Sequence, residues 1–193
     1  MFIKYPAEIR VWVTSDLHIG HGRGFIQEPR GFESVEEMNE EIVKRFNELV
    51  GPDDEVYILG DLMLGDNEEG IKYLKRLHGR IHVVLGNHDT EARESLYRSL
   101  PNVVEVTNAA TFKYNKIHFY CSHYPTLTGN LEKESIYQCV VNLYGHTHQK
   151  SNFYQDIPFM YHVGVDSHNC HPVSMDMVIA DIKEKVQECK DLL

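Results

Sequence analysis

Seven side chains able to hold a metal ion sit just past apolar runs. They are Asp16 and His18 in "VWVTSDLH", Asp61 in "VYILGD", Asn87 in "VVLGNHD", His123 in "FYCSH", and His146 with His148 in "VVNLYGHTH". Each run reads as a strand, so each polar group falls at a strand exit. Imidazole, carboxylate and amide oxygen without thiolate suit Mn²⁺, Fe, Zn²⁺ or similar ions. Seven donors are too many for one four-coordinate zinc and fit two ions of higher coordination that share a bridge. A carboxylate is the natural bridge, its two oxygens dividing between the ions. Two divalent cations outweigh two aspartates and a bridging hydroxide by one positive charge, so such a site attracts a phosphate while holding a nucleophile. Taken singly, each residue has an ordinary explanation as a turn aspartate, a loop cap, a left-handed asparagine or a strand-end histidine. Five strand exits together do not.

The elements that must position these groups alternate. Residues 10–16, 55–61 and 80–89 read as strands. Between them, 34–50 reads as a helix with apolar positions Val35, Met38, Ile42, Phe46 and Leu49. Ser34 with Glu37 makes its capping box. A second helix spans 67–78, closed by Gly79, and a third 90–99, ended by Pro101. Residues 110–123 read as a hairpin turning at Asn115-Lys116. A short helix near 131–137, a strand at 140–144, strands near 159–165 and 174–180, and an amphipathic helix from about 182 follow. This order predicts an α/β fold with a partly mixed sheet, and open sheets of that kind bind ligands at the carboxyl ends of their strands.

The length of 193 residues suits a single domain over 1–193. With 19 Lys and Arg against 29 Asp and Glu, the net charge is −10. That argues against a long nucleic-acid footprint or an anionic membrane surface, but not against a small anionic substrate drawn by metal ions. No apolar run approaches the roughly 20 residues that span a bilayer, and the N-terminal segment lacks a signal peptide's apolar core. Cys121, Cys139, Cys170 and Cys189 form no C-x-x-C pair and read as free thiols in a reducing compartment, so the expected location is cytoplasmic. The patterns of zinc deaminases and of zincins do not occur.

The ordered blocks "SDLH", "GD", "GNHD", "SH" and "GHTH", spread over residues 15–148, resemble those of the calcineurin-like metallophosphoesterase family. The segment "YHVGVD" (161–166) is similar to the strand after the last block in small bacterial and phage members. The resemblance implies an αββα sandwich of two mixed β-sheets flanked by helices. It implies that Asp16, His18 and His148 hold one metal, that Asn87, His123 and His146 hold the other, and that Asp61 bridges them. Mn is the expected ion, with Fe, Zn or Ni as alternatives. His88 matches the family's non-ligand catalytic histidine and Asp89 its orienting partner.

The activity so implied is hydrolysis of a small phosphomonoester or phosphodiester, nucleotide-derived, by a metal-bridging hydroxide. Protein Ser/Thr phosphatases carry "VDRG" and "GNHE" where this chain has "GDLMLGD" and "GNHD", which disfavours that activity. His21 and Arg23, close after His18, are placed to reach a substrate phosphate, and Tyr124 to line the pocket. The remaining histidines, among them His82 and His162, read as structural. The competing reading is a non-catalytic scaffold on the same fold, as in the retromer subunit that has lost site residues. All seven candidate ligands and His88 are present here.

Overall fold

The segments VWVT, EVYIL and RIHVV are apolar almost throughout, which is the pattern of parallel strands covered on both faces. In the computed structural model, which describes residues 3–5, 8–129 and 135–191, they form the centre of one of two five-stranded sheets. The strands in chain order are β1 (Ile3–Lys4), β2 (Val11–Thr14), β3 (Glu55–Leu59), β4 (Arg80–Val84), β5 (Val103–Thr107), β6 (Ala110–Tyr114), β7 (Ile117–Cys121), β8 (Val140–Tyr144), β9 (Met160–His162) and β10 (Val173–Ser174). The helices are α1 (Gly24–Gln27), α2 (Val35–Leu49), α3 (Asn67–Leu74), α4 (Glu91–Arg98) and α5 (Met175–Asp191).

The first sheet runs β10-β2-β3-β4-β5, parallel except for β10 at its edge, where Val173 pairs with Val13. The second runs β1-β6-β7-β8-β9, and only the β6–β7 hairpin in it is antiparallel. Both sheets are mixed, as expected. Asn115 and Lys116 turn the hairpin with φ of 46° and 68°, the positive pair that a two-residue loop requires.

Alternate residues divide the core in two. Val56, Ile58, Ile81 and Val83 face the helices, meeting Met38, Ile42 and Phe46 of α2 and Leu74 of α3. Val11, Val13, Tyr57 and Leu59 face the second sheet, meeting Phe112, Phe119, Val141 and Leu143, with Val178 and Ile182 of α5 in the same cluster. α2 is capped as its sequence predicts: Ser34 Oγ accepts the Glu37 N–H at 3.1 Å. Glu37 reaches back to the Glu33 N–H, one residue before the expected box partner. Leu49 lies at the exposed rim of the helix rather than in the core.

Three expectations need correction. Residues 174–180 are strand only as far as Ser174, and α5 starts at Met175. The alternation there masks a helical set, since Met175, Val178, Ile179 and Ile182 are buried at i, i+3, i+4 and i+7. β1 and β5 are additional strands, and β5 completes the first sheet's edge. The short helix expected near 131–137 falls partly outside the described residues; Ile136–Gln138 forms one 3₁₀ turn.

The parallel strands β2, β3 and β4 of one sheet, and β7, β8 and β9 of the other, end at a common edge. A bridge between Ser15 and Gly164 ties the exits of β2 and β9 together there.

Candidate metal centre

The residues after those strands carry an unusual backbone. Asp16, His18, Asp61, His146 and His148 have φ of 58°, 51°, 55°, 68° and 48°. Left-handed conformations cost an L-residue about 1 kcal/mol each and cluster where a site demands them. In the pairs 16/18 and 146/148 both members are left-handed, and the side chains of each pair reach the same cluster of donor atoms. Gly145 allows the approach of the two pairs: a Cβ there would meet Ser15 Oγ at 1.9 Å and Asp16 Oδ2 at 2.3 Å. A Cβ at Gly86 would meet Asp61 Oδ1 at 2.2 Å.

All seven candidate ligands are brought together. His18 Nε2 lies 3.2 Å from His148 Nε2, and Asp16 Oδ1 is 3.9 and 3.8 Å from those two atoms. Asn87 Oδ1 lies 2.9 Å from both His123 Nε2 and His146 Nδ1. Asp61 Oδ2 stands between the two groups, 3.8 Å from His18 Nε2 and 3.4 Å from His123 Nε2. One detail differs from expectation. The two oxygens of Asp61 do not divide between the groups, because Oδ1 accepts the His88 N–H at 2.9 Å and Oδ2 alone faces both.

The rings are oriented from behind. His123 Nδ1 hydrogen-bonds the Leu59 carbonyl at 2.8 Å, and His148 Nδ1 the Asp166 carboxylate at 2.7 Å. A donor at Nδ1 leaves Nε2 as the lone-pair face turned to the centre.

Burial pushes the Asp16 carboxyl up, against the pull of His148 and His123. Burial also opposes ionisation of Asp61, but His123 beside it and the His88 N–H prevail and hold its carboxyl at about 2. His18 is driven down to about 3 by burial in spite of Asp61. His123 and His148 are raised: burial works against their charge, while Asp61 and Asp16 around the first, and Asp166 and Asp16 around the second, outweigh it.

The donor set fits divalent ions. Asp16 Oδ1 is buried with no hydrogen-bond partner among the described residues. A carboxylate oxygen left so is costly unless a cation completes it. Single donor atoms of Asp16, His18 and His148 lie within 4.8 Å of one another, as do those of Asp16, Asp61 and His123.

A cavity of about 790 Å³ opens over the centre. His88 and Arg23 are exposed on its wall, and His21, though buried, also faces it. The His88 and His18 rings are 5.7 Å apart. Tyr124 is half exposed, its ring 4.7 Å from His146 and 5.2 Å from His123, but it lines a neighbouring cleft rather than the main cavity.

Asp89 does not serve the His88 ring as expected. Its Oδ2 accepts the N–H groups of Asp61 and Gly86 at 2.8 Å each, and its Oδ1 the Tyr97 hydroxyl at 2.7 Å. It ties the exit of β3, which carries Asp61, to the exit of β4, which carries Asn87. Two further residues, Asp166 and Arg30, have a place that the sequence reading did not assign. Arg30 holds both Asp166 oxygens and donates to the carbonyls of Asp16 and Leu17. The "GVD" after β9 was a visible signal for Asp166, whereas nothing local marked Arg30.

A sequence model of the calcineurin-like phosphoesterase superfamily domain matches residues 9–185. An uncharacterized protein of Methanocaldococcus jannaschii is 29% identical over 183 residues, covering 91% of this chain and 92% of that protein. The Gene 66 protein of Mycobacterium phage D29 is 28% identical over 199 residues, covering 90% and 98%. Among solved structures, a protein of unknown function from Aquifex aeolicus shares the fold, with a TM-score of 0.68 at 22% identity over 89% of this chain and 98% of that one. Fold, block order and the span of the match agree: the chain belongs to the calcineurin-like phosphoesterase superfamily.

Proposed function

We propose that the chain is a dimetal phosphoesterase that hydrolyses a small, nucleotide-derived phosphomonoester or phosphodiester. The observation that carries this reading is Asp61 Oδ2, which faces His18 on one side and His123 on the other at under 4 Å. Asp16, His18 and His148 would hold one ion, and Asn87, His123 and His146 the other, with Mn²⁺ the preferred metal. When bound, such a pair polarises phosphoryl oxygens and acidifies a water for in-line attack.

The chain's own groups do the rest. The His88 backbone is fixed at both ends, its N–H to Asp61 Oδ1 and its carbonyl to Arg93 Nη1 at 2.6 Å. The ring is thus presented to the cavity from an anchored backbone, where it would give a proton to the departing oxygen. His21 and Arg23 would bind the phosphate from the cavity wall. The net charge of −10 favours a small substrate over a long nucleic acid. Among the described residues no helix is long and apolar enough to cross a membrane. The four cysteines are free, three of them buried, which supports a reducing compartment, the cytoplasm.

Release of p-nitrophenolate from p-nitrophenyl phosphate and from bis(p-nitrophenyl) phosphate, with added Mn²⁺, tests the reading. Turnover of one or both that EDTA abolishes is expected. Protein that binds metal and turns over neither would refute it.

A further inference from the structure

A second cleft, of about 380 Å³, opens beside the metal centre on the far side of His123. Its walls are Gly86 after β4, Asn108 between β5 and β6, and Tyr120, Ser122 and Tyr124 around the exit of β7. The two clefts adjoin where Asn87 meets His123 and His146 meets Tyr124. Asn87 lines the first and His123 the second, and Asn87 Oδ1 is 2.9 Å from His123 Nε2. A phosphoryl group held at the centre would therefore have a binding space on each flank, one towards Arg23 and one towards Tyr124.

The chemistry of the second space selects its occupant. No lysine or arginine is among its lining residues, and its one carboxylate, Asp89, already accepts from two backbone N–H groups and the Tyr97 hydroxyl. A second phosphate would find no cation there. The cleft offers instead the half-exposed ring of Tyr124, the exposed amide of Asn108 and the hydroxyl of half-buried Tyr120, which makes no hydrogen bond among the described residues. Ser122 Oγ is engaged with the Tyr124 carbonyl at 2.8 Å and serves to hold that wall. An aromatic face for stacking, with an amide and a phenol for hydrogen bonds, suits a flat, neutral, polar-edged group.

We propose that this cleft is a substrate subsite that takes the nucleoside of a phosphodiester while the phosphoryl group lies at the metal centre. The inference rests on the phosphoesterase reading and narrows it to diesters. In the reaction, a water oxygen bonds to phosphorus and the bond from phosphorus to the leaving oxygen breaks, its electron pair staying on that oxygen. One water proton is released as the oxygen bonds to phosphorus and His88 supplies one to the departing oxygen, so the products are a nucleoside monophosphate and the neutral alcohol or phenol.

Two diesters with one leaving group make the test: thymidine 5′-(p-nitrophenyl phosphate) and methyl p-nitrophenyl phosphate, assayed with Mn²⁺ beside p-nitrophenyl phosphate. The nucleoside diester should exceed the methyl diester in kcat/KM by about tenfold or more. The double variant Asn108→Ala/Tyr120→Phe should bring that ratio close to one. Asn108→Trp, which fills the cleft from an exposed position, should do the same. Bound metal per chain and melting temperature identify folded, loaded protein in each case. A ratio near one in the unaltered chain, or a ratio that survives in both variants, overturns the subsite and leaves the phosphoesterase intact. Turnover of the monoester alone overturns the restriction to diesters. No turnover of any of the three by metal-loaded protein overturns the underlying reading itself.

Discussion

His148 Nδ1 lies 2.7 Å from Asp166 Oδ2, and Arg30 grips both oxygens of that carboxylate, Nε to Oδ1 at 3.0 Å and Nη2 to Oδ2 at 3.1 Å. Two of the three groups are buried, the Arg30 side chain 1% and Asp166 7% exposed, while His148 is 33% exposed towards the cavity. As an acceptor only, the carboxylate keeps the His148 proton on Nδ1 and leaves Nε2 open towards His18 and Asp16.

Asp166→Asn reverses that constraint, because an amide can donate to Nδ1 and send the proton to Nε2. Metal affinity should fall by roughly 10- to 100-fold, a loss usual when a ligand's supporting carboxylate is removed. Calorimetric titration with Mn²⁺ measures it. An unchanged affinity would mean that Asp166 only anchors Arg30.

Gly145→Ala tests the packing behind the centre. A Cβ there would stand 1.9 Å from Ser15 Oγ and also 2.7 Å from Ser15 Cβ, an atom fixed to the backbone, so it cannot be accommodated without backbone movement. A destabilisation of roughly 1–3 kcal/mol is expected from such overpacking, read from urea unfolding of metal-free protein. Unaltered stability would show that the strand exits have more room than the structure gives them.

His88→Ala should keep both ions and lose about 10²- to 10⁴-fold in kcat, the range for removing a general acid. Metal analysis alongside the assay separates the two effects. If the variant emptied the centre, the division between ligand and proton donor would be wrong.

The blocks of the centre were legible because each pairs an apolar run with a polar exit, and seven such groups do converge. The means of convergence were not legible. Asp and His after a strand look alike whether φ is negative or positive, so the left-handed backbone at Asp16, His18, Asp61, His146 and His148 had no signature. Arg30 and Asp166 are 136 positions apart and meet only in the folded chain. Asp89 was misread for a related reason: its neighbour in sequence is His88, but its neighbours in space are Asp61, Gly86 and Tyr97. In the fold, the β2, β3 and β4 runs were plain, whereas α5 hid behind an alternating start whose helical set appears only when extended to Ile182.

His162 gives the fold a pH dependence apart from the metals. It is fully buried, its Nδ1 bonds Ser167 Oγ at 2.8 Å, and its Nε2 has no partner among the described residues. Burial first, then His168, hold it at about 3, against an ordinary 6.5. Between those values the unfolded chain binds a proton that the folded chain does not, so stability rises with pH across the window. The contribution is fully present above about pH 6.5 and is lost as the pH falls towards 3. Between pH 7 and pH 5 in EDTA, His162→Asn should lose less unfolding free energy than the unaltered chain by roughly 1–2 kcal/mol. Equal losses would show that the ring is already charged in the folded state.

The most direct measurement is the number of Mn²⁺ ions bound per chain, by elemental analysis after equilibrium dialysis, in the unaltered protein and in Asp61→Ala. One oxygen facing both groups predicts two ions in the first and none retained in the second. A single ion in the unaltered chain, or two in Asp61→Ala, would contradict the shared centre.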